Sequence, residues 1–433
     1  MTRELKIENR RKPFTMKSKD ILIIKLNRRS GMLAVIVSLF FFLTGTAQQL
    51  QPYLTQALEN NPKIQAFELR YETARERIEE VGVLPETQFS VGYFASEPET
   101  RTGPQQYKLS VQQMIPWFGT ITARENYASS LADAQYVEIA TAQRQLLLNV
   151  AENYYRLYAI RAKQRVLEEN IDLLEAYEQL ALTSLEVNQA SSVDVLRLQM
   201  RQNQLRERFE NFDEEFKAEQ ATFNALLNTR PGAAVEVYDS LAVPQEDPVQ
   251  LPEVPQVHPE LLRFDKLYES VGEAEKMNRK EALPDLGFGL DYVAVGEATA
   301  MQAPDSGKDI LMPMVSITVP IFGNKYKSVT RQNELKQREL NAQRENRHNE
   351  LVSRLEAAVS NRAEARISYR TQLLNIEQAN DAEEILRRNY ETGTIDFNDV
   401  LDVQELQLNF ELNLIEAVKN YYQASANINY LSE

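Results

Sequence analysis

Few side chains in this 433-residue sequence are of the kinds that do covalent or metal chemistry. There is no cysteine, and the only histidines are His258 and His348. His258 precedes Pro259 as a turn residue would, and His348 lies in a charged, helix-forming stretch. Neither has a second histidine at ligand spacing, so zinc chemistry finds no constellation. No serine sits on a tight turn as a positioned nucleophile. Met301, Met312 and Met314 could offer thioethers to a soft metal, but their setting reads as barrel strand and loop. The sequence therefore predicts no enzyme, no catalytic residue, no metal site and no cofactor. What stands out instead are carboxylates at helix starts. Asp194 and Asp399 each follow a capping residue, Ser191 and Asp396, by three positions, where they can meet free backbone N–H groups and the helix dipole. Asp402 lies one turn further in, where capping explains less.

These groups sit in an exported chain. Lys17, Lys19, Lys25, Arg28 and Arg29 precede the apolar run Gly31–Leu43, and Thr44-Gly45-Thr46-Ala47 follows it. A basic region, a short apolar core and small residues describe a signal peptide over 1–47, with Met16 as an alternative start. The apolar run is too short for a spanning helix, which needs about 20 residues. The leader carries ten of the 48 basic and three of the 63 acidic residues, so the remainder holds 38 against 60, a net charge of −22. Nucleic acid is thereby an unsuitable partner. No other segment approaches the length of an apolar spanning helix, so any membrane crossing falls to β-strands.

The elements that must position the carboxylates occur twice. Asn61-Pro62 and Phe67 recur as His258-Pro259 and Phe264, 197 residues on. Leu84-Pro85 through Tyr93 recurs as Leu283-Pro284 through Tyr292, and Val195-Leu196 with Gln199 recurs as Val400-Leu401 with Gln404, at separations of 199 and 205. The chain thus divides into a first repeat (48–230), a proline-rich linker (231–256) and a second repeat (257–433), each ordered as helix, strand pair and long helical hairpin. Residues 120–230 contain neither glycine nor proline, and 324–433 contain only Gly393. Such runs predict very long helices, each reversing once. The reversals fall at Asn188–Ser191 and Gly393–Asp396, with Asn188 and Gly393 able to take the left-handed conformation. Leu401, Leu408, Ile415 and Tyr422 fall seven apart, as do Leu198, Leu205 and Phe212, the mark of helices packed side by side. Alternation at Phe89–Tyr93, Tyr107–Val111, Leu286–Tyr292 and Val315–Val319 predicts four strands with one apolar face. Membrane barrels begin at about eight strands, so copies of the chain must pool theirs.

In these features the sequence resembles the TolC-type outer-membrane efflux channel family over residues 50–433. The likeness is carried by the duplicated order, by the strand-ending Ile115-Pro116-Trp117-Phe118-Gly119 and Val319-Pro320-Ile321-Phe322-Gly323, and by the tip residues Tyr390, Gly393, Thr394 and Asp399-Val400-Leu401-Asp402. It implies a mostly α fold with a small β-barrel portion, assembled as a homotrimer. A twelve-stranded β-barrel in outer-membrane lipid would continue into a twelve-helix periplasmic α-barrel. The implied function is a passive export duct whose tips meet a periplasmic adaptor, or membrane fusion protein, and an inner-membrane transporter. On the same footing, Asp399 and Asp402 match aspartates that ring the family's lumen constriction, and Asp194 and Tyr390 match partners in a gate latch. The latch arginine's position holds Ile395 here. The competing class is a periplasmic coiled-coil adaptor or scaffold without strands of its own.

Overall fold

A computed structural model describes residues 49–186, 191–247, 253–298, 304–391 and 397–432. The leader with Met16, Asn188, Met301, and Gly393 with Ile395 and Asp396 lie outside the described residues. Two compact units divide after Pro52. Of the first, only Gln49–Pro52 are described; the architecture below is that of Tyr53–Glu433.

Helix α1 (Leu50–Asn60) leads into α2 (Pro62–Val81) through Asn61, whose side chain caps α2 by accepting from the Lys63 N–H at 2.9 Å. Strands β1 (Gln88–Tyr93), β2 (Glu99–Thr100) and β3 (Gly103–Ile115) follow, then the hairpin α3 (Thr120–Glu186) and α4 (Ser192–Leu226). After an irregular connection come α5 (Pro259–Glu281), β4 (Asp285–Val295), β5 (Ile310–Thr318), α6 (Asn324–Glu391) and α7 (Phe397–Ser432). At about 1.5 Å per residue, the 67 residues of α3 and the 68 of α6 each extend roughly 100 Å. No helix among the described residues is long and apolar enough to cross a membrane.

The strands form one antiparallel sheet in the order β1-β3-β4-β5, with β2 pairing only β3. The two expected strand pairs are therefore joined through β3 and β4, in register from Tyr107↔Ala294 to Ile115↔Leu286. The strands differ in length: β1 has six residues and β3 thirteen, β3 serving two partners and also carrying β2. One face presents Phe89, Val91, Leu109, Phe288, Leu290, Val315 and Ile317, all exposed. The opposite face carries Lys108, Ser110, Gln112, Met114, Met312 and Met314. On it Lys108 pairs with Asp291, whose side chain is fully buried. At the far end from the helices, Gly103 adopts φ +128°, and a Cβ there would fall 1.8 Å from the Gly296 carbonyl oxygen. Only glycine lets these two loops meet.

The helices pack along seams. α3 contacts α2, α4, α5 and α7, and α6 contacts α5 and α7. The heptad residues are where the spacing put them: Leu198, Leu205, Leu408 and Ile415 are buried, with Phe212, Leu401 and Tyr422 packed at the edges. Burial of each such leucine stabilises the seam by about 1.5–3 kcal/mol.

The connection between the hairpins is fastened rather than loose. The Tyr154 and Tyr158 hydroxyls of α3 accept from the N–H groups of Tyr238 and Leu241 at 3.2 and 3.1 Å. Tyr422 of α7 donates to the Ala242 carbonyl at 2.9 Å. Asp247 is met by Arg362 at 3.2 Å, by the Tyr421 hydroxyl at 3.0 Å and by Arg366. Leu241 and Val243 complete the buried cluster beneath this strap.

Candidate functional site

Of the residues singled out in the sequence, Ser191, Asp194, Tyr390, Asp399 and Asp402 are described, all near the hairpin ends of α4, α6 and α7. Ser191 is the N-cap of α4 and forms a capping box with Asp194: the Ser191 hydroxyl accepts from the Val193 N–H at 3.1 Å, and the Asp194 carboxylate accepts from the Ser191 N–H at 3.2 Å. Capping is thus part of what Asp194 does. Its other described contact is Arg197, 3.9 Å away and one turn on. Tyr390, at the end of α6, packs against the cluster formed by Leu198, Val400 and Leu408. Asp399 is exposed in the first turn of α7, and Asp402 is exposed one turn beyond.

Asp402 also lies on the rim of a groove of about 310 Å³ between α4 and α7. Arg197 and Arg201 face it from α4, with Asn398, Asp402 and Glu405 from α7. Arg197 donates to the Asn398 side chain, and Arg201 pairs with Glu405 at 3.3 Å. A guanidinium is thus present in the groove, contributed by α4 of the first hairpin. A signal for it existed. At the separation of 205 that aligns Asp194 with Asp399, Arg197 aligns with Asp402, so the copies carry opposite charges at one position.

Behind the groove lies a half-buried polar layer. Glu178 of α3 accepts from Gln199 at 2.7 Å and Gln202 at 2.9 Å, and those two bonds hold its carboxyl below the usual range. Tyr177 donates to Glu383 at 2.7 Å; burial first, then that carboxylate, pushes its hydroxyl up. Glu411 has the opposite problem from Glu178. Burial raises its carboxyl, Glu169 and Glu383 add to the rise, and one bond from Asn170 at 3.4 Å works against it. Bringing like charges into low dielectric in this way costs stability at neutral pH.

His258 proves to be a helix cap. It is 1 % exposed, its Nδ1 accepts from the Glu260 N–H at 3.3 Å, and its Nε2 lies 3.1 Å from the Tyr430 carbonyl oxygen. Burial holds its pKa below the ordinary imidazole value. Among the described residues, no group of three or more His, Asp or Glu side chains is placed to hold a metal ion.

Against known proteins, the outer membrane efflux protein family matches residues 53–229 and again 258–432. No curated protein matches the sequence significantly. Among solved structures, the outer membrane protein VceC from Vibrio cholerae superimposes with a TM-score of 0.71 at 16% identity, covering 89% of this chain and 96% of its own. CusC gives 0.71 at 14% identity, with 91% and 95% covered. The Campylobacter jejuni CmeC outer membrane channel gives 0.70 at 14% identity, with 88% and 85% covered. At such identities the likeness is one of fold.

Proposed function

Because this chain belongs to the outer membrane efflux protein family, we propose that it is the outer-membrane duct of a tripartite efflux or secretion system. It is a transport protein rather than an enzyme. The observation that carries the proposal is the sheet. Among the described residues its outer strands, β1 and β5, each pair on one side only, and its apolar face is open: Phe89, Val91 and Val315 are 76%, 78% and 74% exposed. Such a sheet satisfies its edges and its apolar face together by closing with other copies inside a bilayer. Three copies, each giving the four strands β1, β3, β4 and β5, close a barrel of twelve. The same three give twelve long helices for a periplasmic tunnel. The sheet also speaks against the adaptor or scaffold alternative.

The recurrence of the family match over two stretches supports two tandem repeats separated by the linker. In this assembly the chain is exported by its leader. Its helical tips reach into the periplasm, where the adaptor and inner-membrane transporter engage the turns at Asn188–Ser191 and Gly393–Asp396. Asp399 and Asp402 from three chains form carboxylate rings at the narrowest level, which favour cations. Asp194 and Tyr390 belong to the latch, with Arg197 as its cation. Light scattering of the detergent-solubilised protein should give three chains. Planar-bilayer recordings should show cation preference reduced in Asp399→Asn/Asp402→Asn. A stable monomer with an inserted barrel would sink the architecture, and unchanged selectivity would leave both aspartates as helix-terminal residues only.

A further inference from the structure

Both strand-to-helix junctions end in apolar side chains that the chain leaves uncovered. Phe118, Ile321 and Phe322 are 76%, 82% and 89% exposed. Trp117, the only tryptophan, packs edge-on against Phe118 with ring centroids 6.0 Å apart. Gly119 then turns the chain into α3 with φ +83°.

Lysines gather at the same level. Lys280, at the end of α5, donates to the Phe118 carbonyl at 3.3 Å. Asn278, two residues earlier, donates to the Tyr326 carbonyl at 3.0 Å. Lys325 and Lys327, flanking Tyr326, therefore stand beside the same helix end. These lysines are unusual in the molecule. Among the described residues, every lysine but Lys63, Lys280, Lys325 and Lys327 pairs with a carboxylate. That three of the four exceptions share one junction, in a chain so rich in acid, calls for an anionic partner from outside. The dipole of α5 accounts for Lys280 at its C-terminal end, but Lys325 and Lys327 open α6, where a cation gains nothing from the dipole.

We propose that this collar binds the headgroups of anionic phospholipids in the leaflet surrounding the strand-to-helix junctions. It rests on the reading of the sheet as lipid-facing and adds the lipid class. Phe118, Ile321 and Phe322 enter the acyl boundary, as aromatic and apolar girdles do at the ends of membrane strands. The three ammonium groups reach the phosphate level on flexible stems that keep their charge in water. Each lysine engaged at a negatively charged surface favours anionic over zwitterionic lipid by about fivefold.

Trp117 provides the probe. The full-length protein is reconstituted with phosphatidylglycerol or phosphatidylcholine brominated on the acyl chains, and quenching of tryptophan fluorescence is measured against mole fraction. The expected result is a relative preference for the brominated phosphatidylglycerol of at least about fivefold, the contribution of a single engaged lysine. The combined substitution Lys280→Gln, Lys325→Gln and Lys327→Gln should bring it to about unity. Quenching by brominated phosphatidylcholine should remain as in the parent. Equal quenching by both lipids in the parent overturns the anionic collar and leaves the duct intact. A preference that survives the triple substitution overturns the lysine assignment. A preference abolished by inorganic phosphate at fixed ionic strength makes the occupant free phosphate and refutes the lipid. Absence of quenching by either lipid places Trp117 outside the bilayer boundary and removes the duct reading's membrane placement as well.

Discussion

Reversing Arg201 to glutamate should loosen α4 from α7 at the tip, and restoring the opposite charge across the groove should tighten it again. Arg201 and Glu405 lie 3.3 Å apart, with side chains 23% and 55% exposed. Solvent screening limits such a pair to about 0.5 kcal/mol. Reversal replaces that attraction with a repulsion of similar size, a change of about 1 kcal/mol per chain. In the proposed trimer, if the copies open together, the shift sums to about 3 kcal/mol, or over a hundredfold in the open-to-closed ratio. Single-channel recording reads it directly. Arg201→Glu should raise the open fraction, Arg201→Glu with Glu405→Arg should return it towards the parent, and 1 M salt should shrink the difference because the screening length falls to about 3 Å. The double substitution keeping the single's behaviour would mean that the two helices are not coupled through this pair.

The half-buried polar layer gives a pH test. Glu411 has its pKa raised from the ordinary 4.5, so its contribution favours the folded state below pH 4.5 and is lost as pH rises through the elevated folded value. Glu411→Gln should therefore raise the melting temperature at pH 7.5, with the gain vanishing below pH 4.5; no gain at pH 7.5 would contradict the burial account. Asp247→Ala leaves Arg362 and Arg366, each 12% exposed, without their carboxylate. It should free the strap by about 2–4 kcal/mol, seen as faster amide exchange over 236–247. Gly103→Ala forces a Cβ into the Gly296 carbonyl at a backbone angle that disfavours any side chain. A cost above about 2 kcal/mol is expected, read as loss of the heat-modifiable form on gels; normal assembly would show that the loops part freely.

Much of this architecture is written locally. Absence of glycine and proline marks α3 and α6, seven-residue spacing marks the seams, and alternation marks the strands, because each is a property of neighbouring residues. Ser191 with Asp194 was likewise legible as a capping box. The strap was not. Five prolines between 231 and 255 announce an extended segment, yet nothing local says that Asp247 will meet Arg362 and Arg366 more than a hundred residues away. The two-residue β2 escaped because so short a strand has no period. Arg197 is hidden for a different reason: its partner Asn398 lies on the other hairpin, and no local pattern links the two.

The strap divides α3 unequally, and a stiff rod held at one level is a lever. From Arg165, whose guanidinium meets Asp239 at 3.2 Å, to Glu186 the helix runs about 30 Å, while from Tyr154 back to Thr120 it runs about 50 Å. A 10° swing about the clasp carries the tip through about 5 Å, roughly the radius of a helix with its side chains. The same swing would carry the opposite end through about 9 Å, which strands tied into a continuous hydrogen-bonded sheet resist. The compliance must therefore sit in the short arm, below the clasp, so a force applied at the tip need bend only some twenty residues of the helix and leaves the sheet at rest.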